Sequence, residues 1–195
     1  MTGRFIVLEG PDCSGTTKQS QLLAERLKAQ SIDVLLTAEP THSSIGEEIR
    51  ALLHGKDMPQ PDAIQLLFCA DRAEHVAQEI LPALQRGTTV VSDRYTLSTL
   101  VYGAAQGIPE DWLRTINSRF PEPDITIITL PPLEVCRERM RHRLRQDQYE
   151  NGEFQRKIHE AYAAVRQRKT VFVDTSQSKQ ESAAEIWQHV ESLFL

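Results

Sequence analysis

The chain has 195 residues, 40% of them hydrophobic, which is enough for a single compact domain around one sizeable core. Its formal net charge of -5 argues against a surface built to hold nucleic acid or a membrane face, so small molecules are the expected partners. No apolar run approaches the length of a membrane span, the N-terminus lacks a signal-peptide pattern, and the three cysteines show no metal-ligand spacing, so we expect a cytoplasmic protein with reduced thiols.

Strand and helix patterns alternate along the chain. Short β-branched and apolar runs predict strands at residues 4–9, 33–37, 88–92, 125–130 and 170–173. Apolar residues at helical spacing predict helices at 17–30, 45–53 and 63–86, the last interrupted near Pro82. This alternation favours a three-layer α/β fold, with a central parallel sheet of about five strands and helices on both faces. We expect residues 1–195 to form a single domain.

The segment GPDCSGTT, residues 10–17, lies between the first predicted strand and helix, where a Walker A phosphate loop is expected. Inward-pointing backbone N–H groups and the helix N-terminus would make it a phosphate site. The candidate phosphate-binding residues are Gly10, Pro11, Asp12, Cys13, Ser14, Gly15, Thr16 and Thr17, and the Thr17 hydroxyl is a candidate Mg²⁺ ligand. An ordinary strand-to-helix connection containing glycine is the alternative.

The loop departs from the Walker A pattern at Thr16, where lysine is expected. Lys18 is nearby, but two residues along a helix rotate a side chain by about 200°, so we expect it to point away. The β- and γ-phosphates would then need a cation from elsewhere in the chain.

Phe68 and Arg72 are four residues apart on a predicted helix and therefore project from one face. Phe68 is predicted to stack on a pyrimidine. Arg72 can only donate hydrogen bonds and would favour the C4 carbonyl of thymine or uracil over the amino group of cytosine. The alternative for Phe68 is an ordinary core position among apolar neighbours.

Polar residues also follow predicted strands, at the sheet edge where open α/β sheets bind ligands. Arg94 is a candidate to bind a monophosphate in two-point fashion, and Asp93 would act on Mg²⁺ through water or only orient Arg94. Ser98, Thr99 and Tyr102 continue on one helical face. Glu39, before Pro40, points to the same crevice, although a structural role in the loop is an equal alternative.

A basic segment, residues 134–145, is the one strongly cationic stretch of this acidic chain. It includes Arg139 and Arg143. Most charge runs are solvated helix faces, and that remains the alternative to a phosphate-handling role.

Five segments together resemble the thymidylate kinases in order and spacing over nearly the whole chain. They are FIVLEGPDCSGTTKQ (5–19), TAEPTHSSIGEEIR (37–50), LLFCADRAEHV (66–76), SDRYTLSTLVYG (92–103) and VDTSQSKQESAAEIW (173–187). The resemblance implies the P-loop NTPase fold of nucleoside monophosphate kinases, with a small helical lid at about 137–152.

The family resemblance implies ATP-dependent, Mg²⁺-assisted phosphorylation of dTMP to dTDP for dTTP synthesis, by a homodimer. It implies that Asp12 faces the acceptor nucleotide and that Tyr102 crowds the 2′ position, which selects deoxyribose. It also places Asp12, Arg94, Arg139 and Arg143 in catalysis, with the lid arginines compensating for the missing lysine. The predicted dTMP-binding residues are Asp12, Glu39, Phe68, Arg72, Arg94, Ser98, Thr99 and Tyr102, and the predicted metal residues are Thr17 and Asp93.

Several positions depart from the family pattern. Besides Thr16, they are Ala38 for an arginine, Gly103 for a glutamine, Thr129 near a usual acid and Gln148 for an arginine. These departures leave two alternatives open: a nucleotide-binding protein that has lost catalysis, and a related deoxynucleotide kinase of different base specificity.

Overall fold

Five strands form one parallel sheet in this computed structural model, which describes residues 3–55, 58–142 and 152–194. The strands are β1 (Phe5–Glu9), β2 (Val34–Ala38), β3 (Thr89–Asp93), β4 (Ile125–Thr129) and β5 (Thr170–Val173), in the spatial order β2-β3-β1-β4-β5. Every neighbouring pair is parallel. The predicted α/β class and the five-stranded parallel sheet are confirmed.

Helices connect successive strands and cover the sheet. They are α1 (Thr16–Ala29), α2 (Ser44–His54), α3 (Pro61–His75), α4 (Leu81–Gln85), α5 (Thr96–Ala105), α6 (Glu110–Asn117), α7 (Leu133–Arg141), α8 (Gly152–Ala163) and α9 (Lys179–Val190). The predicted lid at 137–152 includes the end of α7 and the first residue of α8, and its residues 143–151 lie outside the described ranges. The lid and the single-domain organisation therefore remain predictions.

The core lies on both faces of the sheet, which explains why the inner strands are continuous apolar runs. Successive side chains of β1 alternate between the two faces. Ile6 and Leu8 pack with α1 and α9, whereas Phe5 and Val7 pack with Val76 and neighbouring residues that follow α3. A third cluster joins α5 to α8 over the end of β4.

The predicted interruption of helix 63–86 is a π-helical turn, Val76–Ile80, between α3 and α4. The Leu81 N–H donates to the Val76 carbonyl, five residues back. Pro82 follows directly and has no N–H to continue an α-helical ladder. The break therefore begins several residues before the proline that signalled it.

Within the described ranges, no helix is both long and apolar enough to cross a bilayer. No disulfide joins the three cysteines, all of which lie in the described ranges.

Candidate active site

The loop from Gly10 to Thr17 joins β1 to α1 at the carboxyl edge of the sheet. Gly15 is the N-cap of α1 and has a φ of 99°, a left-handed conformation that glycine adopts without strain. A Cβ on Gly10 would lie 2.5 Å from both the Ser14 Oγ and the Thr129 carbonyl oxygen. Both glycines are therefore required by the path of the backbone.

Threonines from two other strand ends fix this loop. The hydroxyls of Ser14 and Thr129 are 2.7 Å apart, and the Thr129 hydroxyl lies 3.3 Å from the Glu9 carbonyl. The Thr175 hydroxyl donates to the Ser14 carbonyl. Thr129, which stands near the acid expected from the family pattern, thus has a defined role as an anchor of the loop.

A cavity of about 450 Å³, here called the loop cavity, opens at this segment. Five of the eight predicted phosphate-binding residues line it: Asp12, Cys13, Gly15, Thr16 and Thr17. Gly10, Pro11 and Ser14 are buried behind it. Lys18, which we expected to point away from the loop, is also among the residues that line the cavity. Lys179, at the start of α9, is a further cation that the sequence reasoning missed.

Arg139 reaches the loop from α7 and lines the same cavity. Its Nη2 donates to the Thr175 carbonyl at 2.6 Å, and its Nη1 lies 3.3 Å from the Cys13 carbonyl oxygen and 3.5 Å from that of Ser14. Arg139 therefore holds the loop through its carbonyl groups while adding positive charge beside it. Arg143, the other predicted catalytic arginine of this segment, lies outside the described residues.

Thr17 and Asp93, the predicted metal residues, are in direct contact. The Thr17 hydroxyl donates to Asp93 Oδ2 at 2.5 Å. Asp93 Oδ1 is buried and has no hydrogen-bond partner among the described residues. A hydroxyl with free lone pairs beside an unused carboxylate oxygen suits Mg²⁺, which takes few protein ligands when it also binds phosphates. The described residues contain no group of three or more His, Cys, Asp or Glu that could hold a metal by themselves.

A second cavity, of about 170 Å³ and here called the Phe68 cavity, lies beside the first. All eight predicted dTMP residues line it: Asp12, Glu39, Phe68, Arg72, Arg94, Ser98, Thr99 and Tyr102. Phe68 is only half-buried and faces this cavity, which favours the predicted ligand contact over a core position. Pro40, Leu53, Gln65 and Tyr95 complete the lining.

Asp12 and Arg94 line both cavities. Arg94 Nη2 donates to Asp12 Oδ1 at 2.6 Å, and Nη1 donates to the Gly10 carbonyl at 2.9 Å and to the Ser98 hydroxyl at 3.2 Å. The Arg94 guanidinium also lies 5.5 Å from the centre of the Tyr102 ring. An arginine is thus held at the point where the two cavities meet.

Comparisons with known proteins agree with this geometry. The family described as Thymidylate kinase matches residues 8–186. A probable thymidylate kinase of Pyrococcus abyssi is 43% identical, with 83% of this chain and 82% of that protein covered. A thymidylate kinase of Thermomicrobium roseum is 42% identical, with 84% and 81% covered. One of Synechococcus sp. is 38% identical, with 96% and 94% covered. The chain belongs to the thymidylate kinase family. It is accordingly a nucleoside monophosphate kinase, the class of phosphotransferase that the sequence predicted.

Arg72, the arginine predicted to read the base, makes several hydrogen bonds within the protein. It is 1% exposed and makes four hydrogen bonds, with Nε to Glu39 Oε2, Nη1 to Thr99 Oγ1 and Asn117 Oδ1, and Nη2 to the Tyr95 carbonyl. Nη2 also lies 2.7 Å from Glu39 Oε2. Four of the five N–H donors of Arg72 are used by these hydrogen bonds, and Nη2 also lies beside Glu39. Arg72 thus orders the wall of the Phe68 cavity, and its base-reading role stays a prediction.

Glu39 has a structural role in the same network. Its carboxylate accepts from Arg72 and lies 3.1 Å from His75 Nδ1. His75 Nε2 is in turn 2.7 Å from the Thr37 hydroxyl. Glu39 lines the Phe68 cavity while its oxygens contact Arg72 and His75, and its binding of dTMP stays a prediction.

The sequence reasoning missed two buried groups that support the site. Glu9 is fully buried and accepts hydrogen bonds from the Tyr95 and Ser98 backbone N–H groups and from the Ser98 and Tyr162 hydroxyls. Burial raises the pKa of Glu9 above its ordinary 4.5. Gln155 of α8 donates to Asp12 Oδ2 at 3.1 Å. An acidic residue ending an apolar strand was the available signal for Glu9, whereas no local signal identified Gln155.

Proposed function

We propose that this member of the thymidylate kinase family is an active, ATP-dependent dTMP kinase that produces dTDP and ADP. The observation that carries the proposal is the junction of the two cavities at Asp12 and Arg94. A donor in one cavity and an acceptor in the other would meet at this junction. Phosphoryl transfer needs this arrangement, because its catalysis rests mainly on positioning and on cations near the transferring oxygens.

The ATP phosphates would occupy the loop cavity. The α1 N-terminus and loop N–H groups favour anions there, and Lys18, Arg139 and Lys179 add positive charge. These cations support the proposal that other basic residues compensate for Thr16. We keep Arg143 with Arg139 in this proposed role.

The acceptor dTMP would occupy the Phe68 cavity, with its base against the Phe68 ring and its phosphate at Arg94. Tyr102 is buried in the wall, and burial raises its pKa well above the ordinary range, so its ring remains a neutral phenol beside the sugar. Ser98 and Thr99 lie on the same wall. The closeness of Tyr102 to Arg94 supports contact with the 2′ side of the deoxyribose.

In the transfer step, an oxygen of the dTMP phosphate attacks the γ-phosphorus of ATP as the bond to the β-phosphate bridging oxygen breaks. Arg94 would neutralise charge on the oxygens between the two nucleotides, and Asp12 and the Gly10 carbonyl hold it in place. Mg²⁺, which Thr17 and Asp93 would help to hold, neutralises charge on the phosphates when bound. The lid would exclude water from the junction.

The test is an ADP-release assay with dTMP, dUMP, dCMP and dGMP as acceptors. We expect turnover with dTMP and much weaker turnover with dCMP and dGMP. Equal rates on all four would remove the base-specific part of the proposal. A preference for another base would support the related-kinase alternative.

Thr16 favours one second candidate, a nucleotide-binding protein without catalysis. Calorimetric binding of dTMP with no ADP release would support that candidate. Turnover that collapses when Arg139 is changed to methionine would exclude it. If the loop holds ATP phosphates as proposed, Thr16→Lys should tighten ATP binding by roughly tenfold, or about 1.4 kcal/mol. Weaker ATP binding in Thr16→Lys would count against this placement of the loop.

The family resemblance also leads us to propose a cytoplasmic homodimer that binds no nucleic acid. Light scattering on the eluted protein would test the dimer, and a single-chain mass at working concentration would contradict it.

A further inference from the structure

Gln65 is a buried polar residue in the wall of the Phe68 cavity with an acceptor left unused. It lies on α3 and shares one helical face with Phe68 and Arg72, three and seven residues further along. The residue is fully buried, and its Nε2 donates to Gln106 Oε1 at 3.0 Å. Its Oε1 has no hydrogen-bond partner within residues 3–55, 58–142 and 152–194.

A buried acceptor without a donor is costly, and folded proteins contain few of them. Such an atom is satisfied when a ligand brings a donor to it. The guanidinium of Arg72, the other polar group on this face of α3, already bonds to Glu39, Thr99, Asn117 and Tyr95. Gln65 Oε1 is therefore an acceptor on this face that lacks a partner among the described residues.

We propose that Gln65 is a specificity-determining residue whose Oε1 accepts a hydrogen bond from the N3–H group of the acceptor base. This inference rests on the proposed function, in which a pyrimidine lies against Phe68. Thymine and uracil carry a proton on N3, whereas cytosine presents a lone pair there. An amide oxygen at this position selects the first two bases and opposes cytosine. Gln106 fixes the orientation, because its oxygen engages Nε2 and leaves Oε1 for the ligand.

The test compares dTMP with N3-methyl-dTMP, which lacks the N3 proton, as substrates and as ligands in calorimetry. Methionine is close to glutamine in length and has no amide, so Gln65→Met removes the acceptor. We expect kcat/KM for dTMP to fall about tenfold in Gln65→Met, with little change for N3-methyl-dTMP. The preference for dTMP over N3-methyl-dTMP would then shrink about tenfold, and the preference for dTMP over dCMP would shrink with it.

Two further variants make the result specific. Gln106→Glu can only accept, so it keeps Gln65 Nε2 turned toward it and should preserve the dTMP to N3-methyl-dTMP ratio. Gln180→Met, on the exposed face of α9, is the matched surface control and should behave as wild type. If Gln65→Met does not fold, Gln65→Asn withdraws the amide by one methylene and should also reduce the ratio.

The outcomes separate this inference from the proposed function. Wild-type protein that phosphorylates dTMP, together with an unchanged ratio in folded Gln65→Met, would overturn the role of Gln65 alone. A ratio that collapses in Gln106→Glu would also overturn it, because Oε1 is still left for the ligand in that variant and would then not be what maintains the preference. Wild-type protein that neither binds nor phosphorylates dTMP would overturn the proposed function itself.

Discussion

Arg94 occupies a backbone conformation that few residues other than glycine adopt, with a φ of 71° directly after β3. Such left-handed residues tend to occur at functional sites, where the surrounding structure offsets their strain. The Arg94 N–H donates to the Leu8 carbonyl, and the Ser92 hydroxyl donates to the Arg94 carbonyl. The backbone is thus held so that the side chain reaches Asp12 and both cavities.

Replacing Arg94 with lysine should lower kcat/KM for dTMP by roughly 100-fold. Lysine keeps the positive charge but lacks the planar fork that bonds to Asp12, Gly10 and Ser98 while facing phosphate oxygens. Steady-state kinetics with the ADP-release assay would measure the loss. Arg114→Lys, in an exposed pair with Glu110, is the matched control and should retain activity. An Arg94→Lys enzyme within twofold of wild type would remove Arg94 from the transfer step.

Glu9 gives a prediction about pH. Burial is the main cause that raises the pKa of Glu9 in the folded state above 4.5. At pH values between 4.5 and the folded pKa, the folded state therefore keeps a proton that the unfolded state releases. The free energy of unfolding of wild type, relative to Glu9→Gln, should therefore be greatest below pH 4.5 and decline as pH rises. Urea titrations of both proteins between pH 4 and pH 8 would show this. A difference that grows with pH would contradict the assigned environment of Glu9.

The residues that line the Phe68 cavity were predictable, but most of their partners were not. Spacing of three or four residues on a helix placed Phe68 and Arg72 on one face, and the end of β3 placed Arg94 at the sheet edge. The bonds that occupy Arg72 come from Tyr95 and Asn117, which are 23 and 45 residues away. Local patterns carry no information about such distances, so the sequence did not predict the hydrogen bonds that Arg72 makes within the protein.

Among the helices, α9 has the clearest start signal. The Ser178 hydroxyl accepts from the Glu181 N–H, and the Glu181 carboxylate accepts from the Ser178 N–H, which together form a capping box. The helix begins beside the loop cavity, since Lys179 lines it and the Lys179 carbonyl accepts from Gln19 of α1. The capping box therefore fixes the start of α9, the helix whose first residue lines the loop cavity.

Ser178→Ala should lower the free energy of unfolding by about 1 kcal/mol, because it leaves a backbone N–H of the first turn without its acceptor. Chemical denaturation would measure the change. Ser176→Ala, in the exposed turn two residues earlier, is the control and should differ little from wild type. Equal stabilities of Ser178→Ala and wild type would show that water replaces the cap at no cost.

Element boundaries follow the sequence closely where one physical signal dominates. Each observed strand starts and ends within one residue of its predicted boundaries, because buried parallel strands require continuous apolar runs. The π-helical turn, Val76–Ile80, was not predicted as such, since only Pro82 indicated a break and a proline does not specify the geometry before it.

The whole fold brings distant parts of the chain to one edge of the sheet. The loop after β1 contacts Thr129 after 115 residues and Thr175 after 161, and Asp12 contacts Gln155 after 143. Three parts of the chain that are far apart in sequence thus converge on the loop and the junction. A ligand bound there would stabilise the whole sheet edge.

Because both proposed sites exist only in the folded chain, ligands should stabilise it by mass action. At 100 times its dissociation constant, dTMP should raise the free energy of unfolding by about 2.7 kcal/mol. Inorganic phosphate at the same concentration should do much less, since it cannot reach Phe68 and Arg94 together. Phe68→Ala should weaken dTMP binding and remove most of the stabilisation, while the ATP effect through the loop cavity should persist. Stabilisation by dTMP that is unchanged in Phe68→Ala would place the acceptor nucleotide outside the Phe68 cavity.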